Sequence, residues 1–116
     1  MIGIKMCMAS IVALMALCPL VHAASYNVKG AVEEILIDRT NFGQCMVAIE
    51  GFSAPGNCKN KWISLDCAGN FNSKSVGRTM LETAQIAKAT GAKLQAYVND
   101  NQLVNGRCVA YRVVLD

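Results

Sequence analysis

Five apolar-rich stretches of strand character, separated by turn formers, run along this chain, and in one further stretch apolar positions recur with a period near 3.6. Val28, Val32, Ile35 and Ile37 mark a first strand over residues 28–38, with Gly30 as an expected bulge. The turn formers Asp38-Arg39-Thr40-Asn41-Phe42-Gly43 follow. Residues 44–50 alternate Cys45, Val47 and Ile49 with Met46, Ala48 and Glu50, the pattern of a strand with one face in the core. Ala54-Pro55-Gly56-Asn57 predicts a tight turn. Residues 61–67 then read as a third strand, with Ile63, Leu65 and Cys67 on one face and Trp62, Ser64 and Asp66 on the other.

The helical stretch is 73–90. Val76, Met80, Ala84 and Ala87 lie along one side, flanked by Leu81 and Ile86, with serines to cap the start and Gly91 to end it in the left-handed conformation. Residues 93–98 predict a fourth strand, Asn105-Gly106 a hairpin turn, and residues 107–115 a β-branched closing strand. Three strands, a helix and two strands within about 90 residues form the layout of a five-stranded Greek-key barrel of the OB type. An open α+β sheet with one packed helix fits the same periodicity.

Residues 1–23 change the picture of the compartment. Lys5 is the only charge before Lys29, and it precedes an apolar run, Met6 to Val21, that is short for a membrane span. Val21-His22-Ala23 has the form of a signal-peptidase site, so residues 1–23 read as a cleaved signal peptide and 24–116 as a single exported domain, secreted or periplasmic. Cleavage removes Cys7, Cys18 and His22, the only histidine. Without an imidazole the domain lacks Ser-His and Cys-His pairs, and no enzymatic activity, cofactor or metal is expected. Losing Lys5 leaves ten basic residues against eight acidic ones with no run of like charge, which gives no reason to expect nucleic-acid binding.

Cys45, Cys58, Cys67 and Cys108 remain in an oxidising space, and their spacing matches neither a redox Cys-x-x-Cys motif nor a zinc site. Two structural disulfides are expected. Nine extended residues would hold Cys58 and Cys67 too far apart to pair. Two connectivities remain: Cys45 with Cys58 and Cys67 with Cys108, or Cys45 with Cys67 and Cys58 with Cys108. The first is preferred, because it closes the loop after the second strand and ties the third strand to the last.

From residue 30 to residue 98 the chain resembles a known family. The residues that carry the likeness are Gln44-Cys45-Met46-Val47-Ala48-Ile49, Cys58, a lysine-asparagine pair before Trp62, and Ala89-Thr90-Gly91 ahead of Leu94-Gln95-Ala96-Tyr97. In these features it is similar to the pentamer-forming B subunits of subtilase-type and pertussis-like bacterial toxins. The resemblance implies an OB fold, a Cys45–Cys58 bridge, assembly into homo-oligomeric rings, and binding of host-surface glycans beside a separate catalytic chain. Sugar contacts in those B subunits come partly from a serine near the start of the first strand and a tyrosine at the end of the strand after the helix. Lys29 and Val98 stand at the corresponding positions, so those contacts do not carry over, and Cys67 departs from the family pattern.

Trp62 and Tyr97 are candidate sugar-stacking rings, and Lys59 and Lys61, with Lys29, are candidates for an anionic glycan or head group. Core packing of Trp62 and solvation of the lysines are the plainer readings. Asp66 and Glu82 are the carboxyls a glycoside hydrolase would need, although nothing in the sequence brings them together. The expected partner is a cell-surface glycan. The alternative is another protein, inhibited or chaperoned through an exposed strand edge.

Overall fold

The structure, a computed structural model, describes residues 24–116. The expected signal peptide, 1–23, lies outside the described residues. The chain runs β1 (Ser25–Ile37), a short 3-10 turn (Phe42–Gln44), β2 (Cys45–Ile49), β3 (Trp62–Ser64), α1 (Lys74–Thr90), β4 (Lys93–Val104) and β5 (Arg107–Leu115). It is mainly β with one helix, and the five strands close in a ring in the order β1-β2-β3-β5-β4. Among the described residues no helix is long and apolar enough to cross a membrane.

Closure depends on β1 serving two neighbours. Its first half pairs with β4, from Ser25↔Asn99 to Ala31↔Lys93, and its second half with β2, from Val32↔Ile49 to Ile37↔Cys45. The expected bulge at Gly30 is absent: Gly30 keeps register with Leu94, and the irregularity lies between Val32 and Glu34. Gly30 is needed for a close approach instead. A Cβ there would stand 2.5 Å from the carbonyl oxygen of Glu50. Such backbone crowding has no cheap relief.

Inward-facing Val47, Ile49, Ile63, Leu65, Leu94, Ala96, Val98 and Ala110 fill the ring, and Met80, Ala84 and Ala87 of α1 join the same core. β2 is buried at all five positions, so the expected exposed face of that strand is covered as well. The helix starts on Ser73, whose side chain accepts from the Val76 N–H, and ends at left-handed Gly91. Its buried stripe includes Gly77 in place of the expected Val76, which is 47 % exposed. Gly77 rests on the Asp66 carbonyl, and a Cβ there would come within 2.5 Å of that oxygen. This contact turns the helix so that Val76 faces out. β4 continues well past residue 98 to a hairpin at Asn105 and Gly106, both at positive φ.

The weakest seam lies between β3 and β5, which meet in parallel through one register pair, Ser64↔Val109. β3 stops short of the expected residue 67 because Asp66 adopts a left-handed φ of 60°. Its carboxylate is fully buried. Oδ1 accepts from the Asn70 N–H and Nδ2 at 2.9 and 3.0 Å, and Oδ2 from the Phe71 and Asn72 N–H groups. The Asn72 side chain then donates to Ala110 O at 2.8 Å and to Leu65 O at 3.3 Å, spanning the seam.

The disulfides differ from the preferred pairing. Cys45 bonds to Cys67 and Cys58 to Cys108, with Cα separations of 5.7 and 5.1 Å. The register accounts for the change. The Leu65 N–H donates to Cys45 O, and the turn at Asp66 then brings Cys67 back to Cys45. The Lys59 N–H donates to Gly106 O, which sets Cys58 beside Cys108 on the hairpin.

Three outcomes follow. Non-reducing peptide mapping recovers the 45–67 and 58–108 cross-links and no 45–58 link. Chain entropy for loops of 22 and 50 residues assigns the bridges about 3 and 4 kcal/mol, so replacing either pair by alanine lowers unfolding free energy in a denaturant titration by a few kcal/mol. Asp66→Asn costs at least about 2 kcal/mol in the same measurement, because an amide nitrogen then faces N–H donors that lose their acceptor.

Candidate functional site

On the outward side of the sheet, Asn27, Tyr97 and Arg112 stand opposite one another on β1, β4 and β5. A register shift beside Tyr97 leaves Tyr111 as the extra residue of β5 and turns its ring outward. The two tyrosine rings lie 6.1 Å apart, tilted by 49°. The Arg112 guanidinium carbon sits 5.2 Å from the Tyr97 ring centre and 5.9 Å from that of Tyr111. The Tyr111 hydroxyl is fixed in turn by a 2.8 Å hydrogen bond with Ser25 Oγ, and Gln95 donates to Asn27 Oδ1 at 3.3 Å.

Tyr111 and Arg112 also form one wall of a groove of about 350 Å³ between β5 and α1. Met80 and Val113 provide apolar surface, and Ser75, Thr79 and Thr83 line the helix side. These three hydroxyl residues recur every fourth position, so they share a helix face. Thr79 and Thr83 donate to the carbonyls of Ser75 and Thr79, which leaves their oxygen lone pairs free to accept. The volume is within the range of small-ligand sites, and aromatic rings, hydroxyls and one cation make a lining suited to a polyhydroxylated ligand. Among the described residues the ion pairs are Lys29–Asp116 and Lys61–Glu34, so Arg112 carries none. A guanidinium is the side-chain group suited to take an acidic group through two parallel N–H bonds.

Comparison with protein-family models, with curated proteins and with solved structures gives no match to this chain. Of the residues singled out in the sequence, Tyr97 joins this constellation, and Lys61, Trp62, Lys59, Lys29, Asp66 and Glu82 do not. Lys61 is bound to Glu34, whose hydrogen bond raises its pKa above the usual lysine value, and its ammonium lies 5.4 Å from the Trp62 ring centre. Trp62 is half-buried on β3, paired with Ala48 and separated from β4 by β5. Lys59 is exposed and lies along Gly106, where a Cβ would come within 2.8 Å of its stem. Lys29 is engaged by Asp116 at 2.9 Å. Asp66 spends both oxygens on the 70–72 loop, while Glu82 is exposed on α1.

Sequence reasoning missed Arg112, Tyr111 and the helix hydroxyls. The Ser75, Thr79, Thr83 spacing was a readable signal of a polar stripe beside the core stripe. The tyrosine–arginine pair was legible only as an interruption of the β-branched closing strand.

Because the Arg112 guanidinium lies near the centres of two rings at an exposed site, the arrangement contributes on the order of 1 kcal/mol to the fold. Arg112→Ala therefore lowers the thermal midpoint by no more than about 8 °C. A much larger fall in a melting curve would mark Arg112 as a structural residue and not a ligand contact.

Proposed function

We propose that this chain is a secreted or periplasmic, non-enzymatic binding module of OB type that holds a glycan with an acidic sugar in the α1–β5 groove. The observation that carries this reading is Arg112, an arginine without an ionic partner among the described residues, set beside the rings of Tyr97 and Tyr111 in the wall of a hydroxyl-lined groove. The rings cover C–H patches of a sugar, the guanidinium takes its carboxylate, and the helix hydroxyls satisfy its polar edge. The OB assignment is supported by the strand order and by a helix between β3 and β4. Export is supported by the two disulfides, which persist in oxidising compartments. The likeness to toxin B subunits adds ring-forming self-association to the proposal.

One further observation favours a second reading, that of a monomeric envelope protein that inhibits or chaperones another protein. Residues 112–115 pair with β4 alone, and Val114 and Leu115 are exposed at that edge. An unpartnered strand edge of this kind can accept a strand from another chain.

Glycan-array binding joined to light scattering separates the two. The first reading gives an oligomer retained by acidic glycans, with retention falling at least about tenfold in Arg112→Ala, the loss of one hydrogen-bonded charge contact, and falling also in Tyr97→Ala, the loss of a ring that covers the sugar. Trp62→Ala retains binding. A monomer that ignores every glycan and captures one protein supports the second reading and defeats the first.

A further inference from the structure

Asp100 is the last of the alternating inward positions of β4 and is 8 % exposed. Among the described residues, its carboxylate accepts one hydrogen bond: the backbone nitrogen of Ala24 donates to Oδ1 at 3.1 Å. The Asp100 N–H returns the contact to Ala24 O at 3.1 Å. The other oxygen, Oδ2, lies against Gly56, where a Cβ would strike it and would stand 3.0 Å from the Tyr26 hydroxyl. No lysine or arginine among the described residues forms an ion pair with Asp100. A buried carboxylate held by a single neutral amide is an unbalanced charge, and such groups require a cation or several donors. Asp66, which is fully buried, has four donors.

The nitrogen that touches Asp100 belongs to the residue that the leader reading makes the first of the exported chain. We infer that the Ala23–Ala24 bond is a processing site and that Asp100 is the receptor for the α-ammonium its hydrolysis creates. The inference rests on the export reading of the proposed function. A signal peptidase adds water across the bond: hydroxyl goes to the Ala23 carbonyl carbon, and hydrogen to the Ala24 nitrogen. That amine takes a further proton from solvent, since an α-amine ordinarily titrates near pH 8, at about 7.7–8.0. A neutral amide with one N–H becomes an ammonium with three, and its bond to Oδ1 becomes charge-assisted. Processing thus supplies the missing counter-ion from the chain itself. It also pins the start of β1 next to Ser25, whose hydroxyl holds Tyr111 at the groove.

The test uses the full chain, expressed with its leader in an exporting bacterium. Intact mass of the purified protein identifies its first residue, expected to be Ala24. One alanine inserted between Ala23 and Ala24 moves the ammonium a residue away and leaves the Ala24 nitrogen an amide. This variant melts at least about 4 °C lower than the parent, and the loss does not add to that of Asp100→Asn in the combined variant. Acylation of the terminal amine is about tenfold slower in the folded parent than in the insertion variant, the equivalent of one unit of pKa, a readout that stands even where Asp100→Asn fails to fold. A chain that starts elsewhere than Ala24 overturns the processing site. A chain that starts at Ala24 but whose insertion variant matches the parent in midpoint and amine reactivity overturns the Asp100 receptor and leaves the export reading intact.

Discussion

Closing this five-stranded ring brings two pairs of strands together without a hairpin to guide them, β1 with β4 along seven register pairs and β3 with β5 along one, and the buried carboxylate of Asp66 sustains the second meeting. β3 and β5 run parallel and share one register pair, too little backbone pairing to hold an edge together. The carboxylate gathers the amides of residues 70–72, and Asn72, fixed by that grip, donates to carbonyls on both sides of the gap. A charge in the interior is normally a liability. With four donors it becomes a template for a loop that has no secondary structure of its own.

The covalent links reinforce the same region. Cys45–Cys67 anchors the turn that Asp66 makes, and Cys58–Cys108 ties the long β2–β3 connection to the start of β5. A domain of this size buries a modest core, and cross-links placed around its least-paired seam act where backbone pairing is thinnest. With the seam held, α1 packs across the core, and Gly77 sets its rotation by resting on the Asp66 carbonyl. That rotation sends Met80, Ala84 and Ala87 inward and leaves the hydroxyl stripe of Ser75, Thr79 and Thr83 facing β5. The candidate groove is thus a consequence of how the seam is closed.

Local patterning made most of the elements legible. The helix, its serine cap and its terminal glycine, the Asn105-Gly106 hairpin and the closing strand follow from rules that act over a few residues, and the structure has each of them. The readings that changed depended on distant contacts. Gly30 looks like a bulge until the Glu50 carbonyl is brought against it, and Val76 looks like core until Gly77 fixes the helix face. The cysteine pairing was undecidable from spacing, since two connectivities satisfied the same limit on distance. The cross-strand bond from Leu65 to Cys45 selects between them. Of the binding candidates, Tyr97 was visible as an aromatic on a strand. Arg112 and Tyr111 gained meaning only when a register shift set them beside it.

By itself the sequence determined the periodicities, the helix boundaries, the hairpin, the pool of four paired cysteines and the lack of histidine after residue 22, because each is a property of neighbours along the chain or of composition. Only the tertiary structure decided ring closure, the disulfide partners, the orientation of α1, the burial of Asp66 and Asp100, and the meeting of Tyr97 with Tyr111 and Arg112. These features join residues tens of positions apart. Register and packing set such distances, and neither is written in any local window of residues.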